Sequence, residues 1–197
     1  MAAAAGQPVS DRIIYNHEDA VRFVVGTVGV PGERAFFLQV SSGVGITTVS
    51  VEKSQVAALA ARLRELVTEV RRNKLASLDE LNLAATVDND NLEFPIDEDF
   101  RAGVMGISWD PQTQRVSIEI QSIADGEFTE LISDEEDLAG VEDPPDLLRL
   151  TTRLNQVKGF CNRAENILQA GRAACPFCGL PIDATGHLCP RANGYRR

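Results

Sequence analysis

The sequence predicts an α+β fold: two tandem β-β-β-α units forming antiparallel sheet with helices, followed by a small C-terminal zinc ribbon. Three observations predict it. Two amphipathic stripes superpose when one is shifted by 101 positions, a strand-turn-strand pattern and a third strand precede each stripe, and three Cys and one His crowd positions 175–189. The chain has 197 residues, of which 44% are apolar, enough for one domain with a core plus an appendage.

In the first unit, residues 22–29 read Arg-Phe-Val-Val-Gly-Thr-Val-Gly. A turn at Pro31-Gly32 leads into residues 34–40, Arg-Ala-Phe-Phe-Leu-Gln-Val. Apolar and β-branched residues flanking Pro-Gly mark a hairpin, and residues 46–52 make a third strand. Val56, Leu59, Ala60, Leu63, Leu66, Val67 and Val70 then recur at spacings of three and four, so a helix is expected over 53–72, with Ser54 as an early cap.

The second unit repeats the plan. Residues 100–106 and 115–121 flank a turn at Asp110-Pro111, residues 147–151 form the third strand, and the stripe of the second helix is Leu154, Val157, Phe160, Cys161, Ala164, Ile167 and Leu168. The shift of 101 lays Gln55-Val56 on Gln156-Val157, Leu59-Ala60 on Phe160-Cys161 and Arg62 on Arg163. The copies run over about 22–72 and 100–172 within a duplicated domain at 1–172, with 173–197 as the ribbon. Residues 73–99 read as an irregular connector, and 125–146 as an acidic insertion in the second copy.

Charge follows this division. The net −10 splits into +2 over residues 1–78, −18 over 79–146 and +6 over 147–197. The acidic block reads as a solvated insertion, or as a surface folded against the basic end or mimicking a polyanion towards a partner. With such a field nucleic acid is an unfavoured partner. No long apolar run offers a membrane span, and the start, Met1-Ala2-Ala3-Ala4-Ala5-Gly6, lacks a basic n-region and an apolar h-region. The expectation is a soluble cytoplasmic protein.

Chemistry concentrates at the end. Cys175-Pro176-Phe177-Cys178-Gly179 is a knuckle that aims two thiolates at one point, and His187 and Cys189 return nine and eleven residues after Cys178. Three thiolates and an imidazole suit a tetrahedral, structural Zn²⁺. A dithiol oxidoreductase would need the first Cys to open a helix, and a catalytic zinc would need an open position. Cys161 falls on the buried stripe and reads as an inert packed thiol, while His17 reads as a surface residue beside Glu18 and Asp19. No Gly-rich phosphate loop, nucleophile elbow or His-Glu-x-x-His helix is present, which leaves no catalytic residue to name. Arg191, Asn193, Tyr195, Arg196 and Arg197 form a basic tail able to grip an anion, a partner or the chain's own acidic middle.

The ending Cys-Pro-x-Cys-Gly-x-Pro, Gly-His-x-Cys-Pro-Arg, Asn-Gly-Tyr-Arg-Arg resembles an actinobacterial family of domains of unknown function. The Phe-Val-x-Gly-Thr-Val-Gly opening and the Gln-Val-x-x-Leu helix start are similar too, so the resemblance spans about 10–197. It implies a zinc quartet at Cys175, Cys178, His187 and Cys189 and assigns no reaction. The expected function is a non-enzymatic protein-interaction or scaffold module with a protein partner. An enzyme acting on a phosphorylated or nucleotide substrate between the repeats is the alternative, and nucleic-acid binding through the ribbon and tail a second.

Overall fold

The computed structural model describes residues 12–30, 32–123, 130–133, 144–170, 175–180, 182 and 186–191. The strands are β1 (Ile14–His17), β2 (Arg22–Val28), β3 (Ala35–Ser42), β4 (Gly45–Val51), β5 (Phe100–Asp110), β6 (Arg115–Ser122) and β7 (Leu147–Thr152). The helices are α1 (Lys53–Arg72), α2 (Leu78–Asn82) and α3 (Leu154–Gln169). One seven-stranded sheet runs in the order β1-β7-β6-β5-β4-β3-β2.

Each expected β-β-β-α unit is present as β2-β3-β4-α1 and β5-β6-β7-α3. Pairing within each triplet is antiparallel, as the hairpin signals require. The sheet is nonetheless mixed. The units meet through a short parallel ladder, Val49↔Phe100 and Ser50↔Arg101, and β1, which the sequence did not mark, runs parallel to β7. Four residues, Ile-Tyr-Asn-His, are too few for periodicity to register. Residues 19–21 then bridge the two ends of the strand order: Ala20 N–H donates to Thr151 O at 2.8 Å and Val21 N–H to Ser41 O at 3.0 Å.

The helices are exchanged between the units. In α1, Gln55 Nε2 donates to Ala102 O at 3.0 Å and Gly103 O at 3.2 Å, on the first strand of the other unit. In α3, Gln156 Nε2 donates to Ala20 O at 3.4 Å and Val21 O at 2.8 Å, leading into β2. Phe160 of α3 stacks on Phe23 of β2 with ring centroids 4.2 Å apart. The helices also meet each other, with Cys161 Sγ 3.6 Å from Ala60 O and Arg64 Nη2 2.9 Å from Cys161 O. The core lies between the inner strand faces and this helix pair: Leu38, Val40 and Val49 from the first unit, Ile118, Ile120 and Leu150 from the second, and Val56, Leu63, Val157 and Ala164 from the helices.

Helix starts are secured from different places. At α1 the cap is Glu52 rather than Ser54, and Glu52 N–H donates to Gln55 Oε1 at 2.8 Å. At α3 the cap residue Arg153 makes no side-chain cap bond. Glu80 of α2 serves instead: its Oε1 accepts from Leu154 N–H at 3.1 Å and its Oε2 from Arg153 Nη2 at 2.5 Å. The connector predicted as irregular therefore contains a functional helical turn, and a carboxylate at a helix N-terminus is well placed.

Candidate metal centre

The knuckle is built by backbone. Gly179 N–H donates to Cys175 O and Cys175 N–H to Leu180 O, both at 2.8 Å. Gly179 sits at φ +75°, in the left-handed region that a Cβ resists, so the chain turns tightly enough to bring both thiols to one side. The segment carrying His187 and Cys189 is entered through Gly186, at φ +86°. Residues 183–185, between the halves, lie outside the described residues.

The ligand atoms of Cys175, Cys178, His187 and Cys189 all lie within 4.8 Å of one another. Cys175 Sγ is 3.7 Å from Cys189 Sγ, and Cys178 Sγ is 3.2 Å from His187 Nε2. A tetrahedron with zinc–sulfur bonds of about 2.3 Å has sulfur–sulfur edges of about 3.8 Å, so the donor set fits the ion in type and spacing. None of the Cys is in a disulfide. Burial pushes the Cys175 thiol up, but hydrogen bonds from the Cys178 and Phe177 backbone outweigh it and leave the group below its ordinary value. For Cys178 the Leu180 backbone pulls downward, while burial and the Cys175 and Cys189 thiols push harder and leave it raised. The Cys178 and Cys189 thiols also favour the Cys175 thiolate, so one thiolate forms readily and disfavours a second at Cys178, a condition that a cation relieves.

The dithiol alternative finds no support here, because residues 175–180 form a turn and no helix starts at either Cys of the knuckle. Of the basic tail, Arg191 is the one described member: its Nη1 donates to Phe177 O at 3.1 Å, back onto the knuckle. Asn193, Tyr195, Arg196 and Arg197 lie outside the described residues, as do the acidic residues Asp134, Glu135, Glu136 and Asp137.

Cys161 is buried, and burial pushes its thiol up to about 11, which keeps it protonated and inert. His17, expected at the surface, is 2% exposed. Its Nδ1 lies 2.9 Å from Ser42 Oγ and its Nε2 2.8 Å from Thr47 Oγ1. It ends β1, so the pairing of β1 with β7 carries it inward, and a sequence reading that lacks β1 has no means of placing it.

Two buried glutamines also escaped the sequence reading. Gln39 Nε2 donates to Glu93 O at 3.1 Å while its Oε1 accepts from Glu93 N–H at 2.8 Å. Gln121 does the same for the other unit, Nε2 to Glu130 O at 3.4 Å and Oε1 from Ile132 N–H at 2.9 Å. Each amide thus holds a covering segment over the outer face of its sheet. The signal available was Gln inside an apolar strand pattern, Leu38-Gln39-Val40 and Ile120-Gln121.

No helix among the described residues is long and apolar enough to cross a membrane. No curated protein and no solved structure matches the chain. A family model does, over residues 15–189, a span that runs from β1 to the last Cys of the cluster and includes all four candidate ligands. The chain therefore belongs to the family described as "Protein of unknown function (DUF3090)".

Proposed function

We propose that this protein is a non-enzymatic interaction module whose C-terminal loops are closed by a structural zinc ion held by Cys175, Cys178, His187 and Cys189. The carrying observation is the convergence of those four donors within 4.8 Å. Four protein ligands leave no position for substrate, which favours a structural over a catalytic ion. When bound, zinc supplies the folding free energy that so short an appendage lacks in apolar core. Thiolate ligands require reduced Cys, in keeping with a cytoplasmic setting. We further read the two units as copies of one ancestral unit, a reading supported by the matching roles of Gln55 and Gln156.

Elemental analysis of purified protein tests the central point. One zinc per chain is expected, with Cys175→Ser or Cys189→Ser releasing it and loosening residues 175–191. Absence of zinc from freshly purified wild-type protein overturns the assignment.

A further inference from the structure

The exchanged helices create two corresponding grooves, each between a helix and the edge of the first strand of the opposite unit. One is lined by Gln156, Gly159, Phe160 and Arg163 with Phe23 and Val24. The other is lined by Gln55, Ala58, Leu59 and Arg62 with Met105 and Gly106. The shift of 101 aligns the four helix residues of each groove, and the strand registers correspond: Val25↔Leu38↔Val49 in one unit matches Ile107↔Ile118↔Leu150 in the other.

Their occupancy differs. Along Gln156–Arg163 the α3–β2 groove is filled by the chain's own connector, leaving about 30 Å³ bordered by Thr86 and Asp88, while past Arg163 a second cavity of about 470 Å³ opens beside Gly26, Thr27 and Ile167. Thr86 N–H donates to Asn155 O at 3.0 Å, and the Asp88 carboxylate takes Arg163 Nη1 at 2.9 Å and Arg22 Nε at 2.6 Å. Arg163 also donates to Val25 O at 2.6 Å on the strand edge, and to Asp88 O and Asp90 O. The α1–β5 groove holds a cavity of about 450 Å³, and beyond Arg101 β5 pairs only with β6 among the described residues. Arg62, in the place of Arg163, is 70% exposed and, among the described residues, pairs with the exposed Glu65.

We propose that the α1–β5 groove docks an extended acidic peptide from a partner protein, laid along β5 with its carboxylate on Arg62. The filled groove is the template: this architecture already accepts an extended Thr-Val-Asp segment with a carboxylate on the equivalent arginine. In the filled groove the segment is placed by its Thr86 N–H bond to Asn155 O at the start of the helix and by the Asp88 carboxylate, and the docked peptide uses the same two kinds of contact. One difference shapes the occupant: Ala58 replaces Gly159, so the peptide sits further from the helix and nearer β5. Position 58 is exposed and Arg62 is free to leave Glu65, so docking needs no rearrangement of the core.

This inference rests on the interaction reading and adds a surface and a partner chemistry to it. The test is titration of ¹⁵N-labelled full-length protein with an acetylated synthetic peptide copying residues 84–91, Ala-Ala-Thr-Val-Asp-Asn-Asp-Asn. Shifts are expected at Ala58, Arg62, Gly103, Gly106 and Ile107. Arg62→Ala, or Asn in place of the first peptide Asp, should weaken binding by roughly tenfold, the cost of one charge-assisted contact. Ala58→Trp should abolish it by filling the groove. No shifts up to about 1 mM peptide, shifts confined to another face, or equal affinity for Arg62→Ala each overturn the proposal. Zinc is measured on the same sample: one equivalent without peptide shifts removes the groove alone and leaves the zinc-closed module standing.

Discussion

Replacing a helical glycine by alanine ordinarily stabilises a protein by about 1 kcal/mol, because glycine loses more backbone freedom on folding. Gly159 in α3 reverses that sign. A Cβ built there meets the backbone of Thr86, with the carbonyl oxygen well inside 3.0 Å, the carbonyl carbon at 3.1 Å and Thr86 Cβ at 3.3 Å. The obstacle is backbone, so no rotamer change relieves it. The connector must retreat, which strains or breaks Thr86 N–H to Asn155 O and Asn155 Nδ2 to Thr86 Oγ1, each 3.0 Å long. Those two bonds are worth about 1 kcal/mol each, and overpacking costs about 1–3 kcal/mol. After crediting the helix term, Gly159→Ala should destabilise by about 2–4 kcal/mol, a fall in Tm of roughly 4–16 °C for a chain of this size. Ala58→Gly, at the matching position of α1, should lose only the propensity term of about 1 kcal/mol. Thermal and urea unfolding of both variants measure this. A Gly159→Ala protein that melts above wild type would refute the seating of the connector against α3.

Four further outcomes follow from particular side chains. Burial holds the His17 imidazole below its ordinary value, with Asp99 opposing in part, so the fold prefers the neutral ring. Its stabilisation is present above the unfolded value of about 6.5 and declines as pH falls below it toward the folded value; His17→Gln should flatten the difference in urea midpoint between about pH 7.5 and pH 5.5. The Arg22 hydrogen bond holds Asp88 below the ordinary carboxylate range, so its contribution is present above about pH 4 and lost as pH falls through the lower folded value. Asp88→Asn should weaken that acid limb, read by circular dichroism during acid titration. Glu80→Ala strips α3 of its external cap and leaves Arg153 without its carboxylate, a loss of about 2–4 kcal/mol by urea denaturation. Gln121→Leu keeps the volume but orphans the Ile132 N–H, and hydrogen exchange at Ile132 should speed up while β6 amides facing β7 stay protected.

The elements that the sequence announced are those whose partners are periodic. The stripes of α1 and α3 and the hairpins β2-β3 and β5-β6 follow from spacing alone, and α1 occupies the expected residues. The metal cluster was legible because its donors lie within fifteen residues of chain and their types and spacing are those a tetrahedral ion needs. What escaped depends on long-range placement. Glu80 looks like any surface acid until α2 docks on the start of α3, seventy-four residues later. His17 is polar by neighbours and buried by topology. The exchange of helices was invisible because an apolar stripe states that a face is covered and not by which strand.

That exchange bears on how the chain can be divided. Neither β-β-β-α unit contains the strand edge its own helix grips, since Gln55 closes on β5 and Gln156 on the lead into β2. A cut in the connector therefore does not yield two small autonomous domains. It yields two incomplete halves, each with an uncovered helix and an uncovered strand edge that the other half satisfies. Such halves solubilise and order one another only as a pair, which makes this protein a natural candidate for split-fragment complementation.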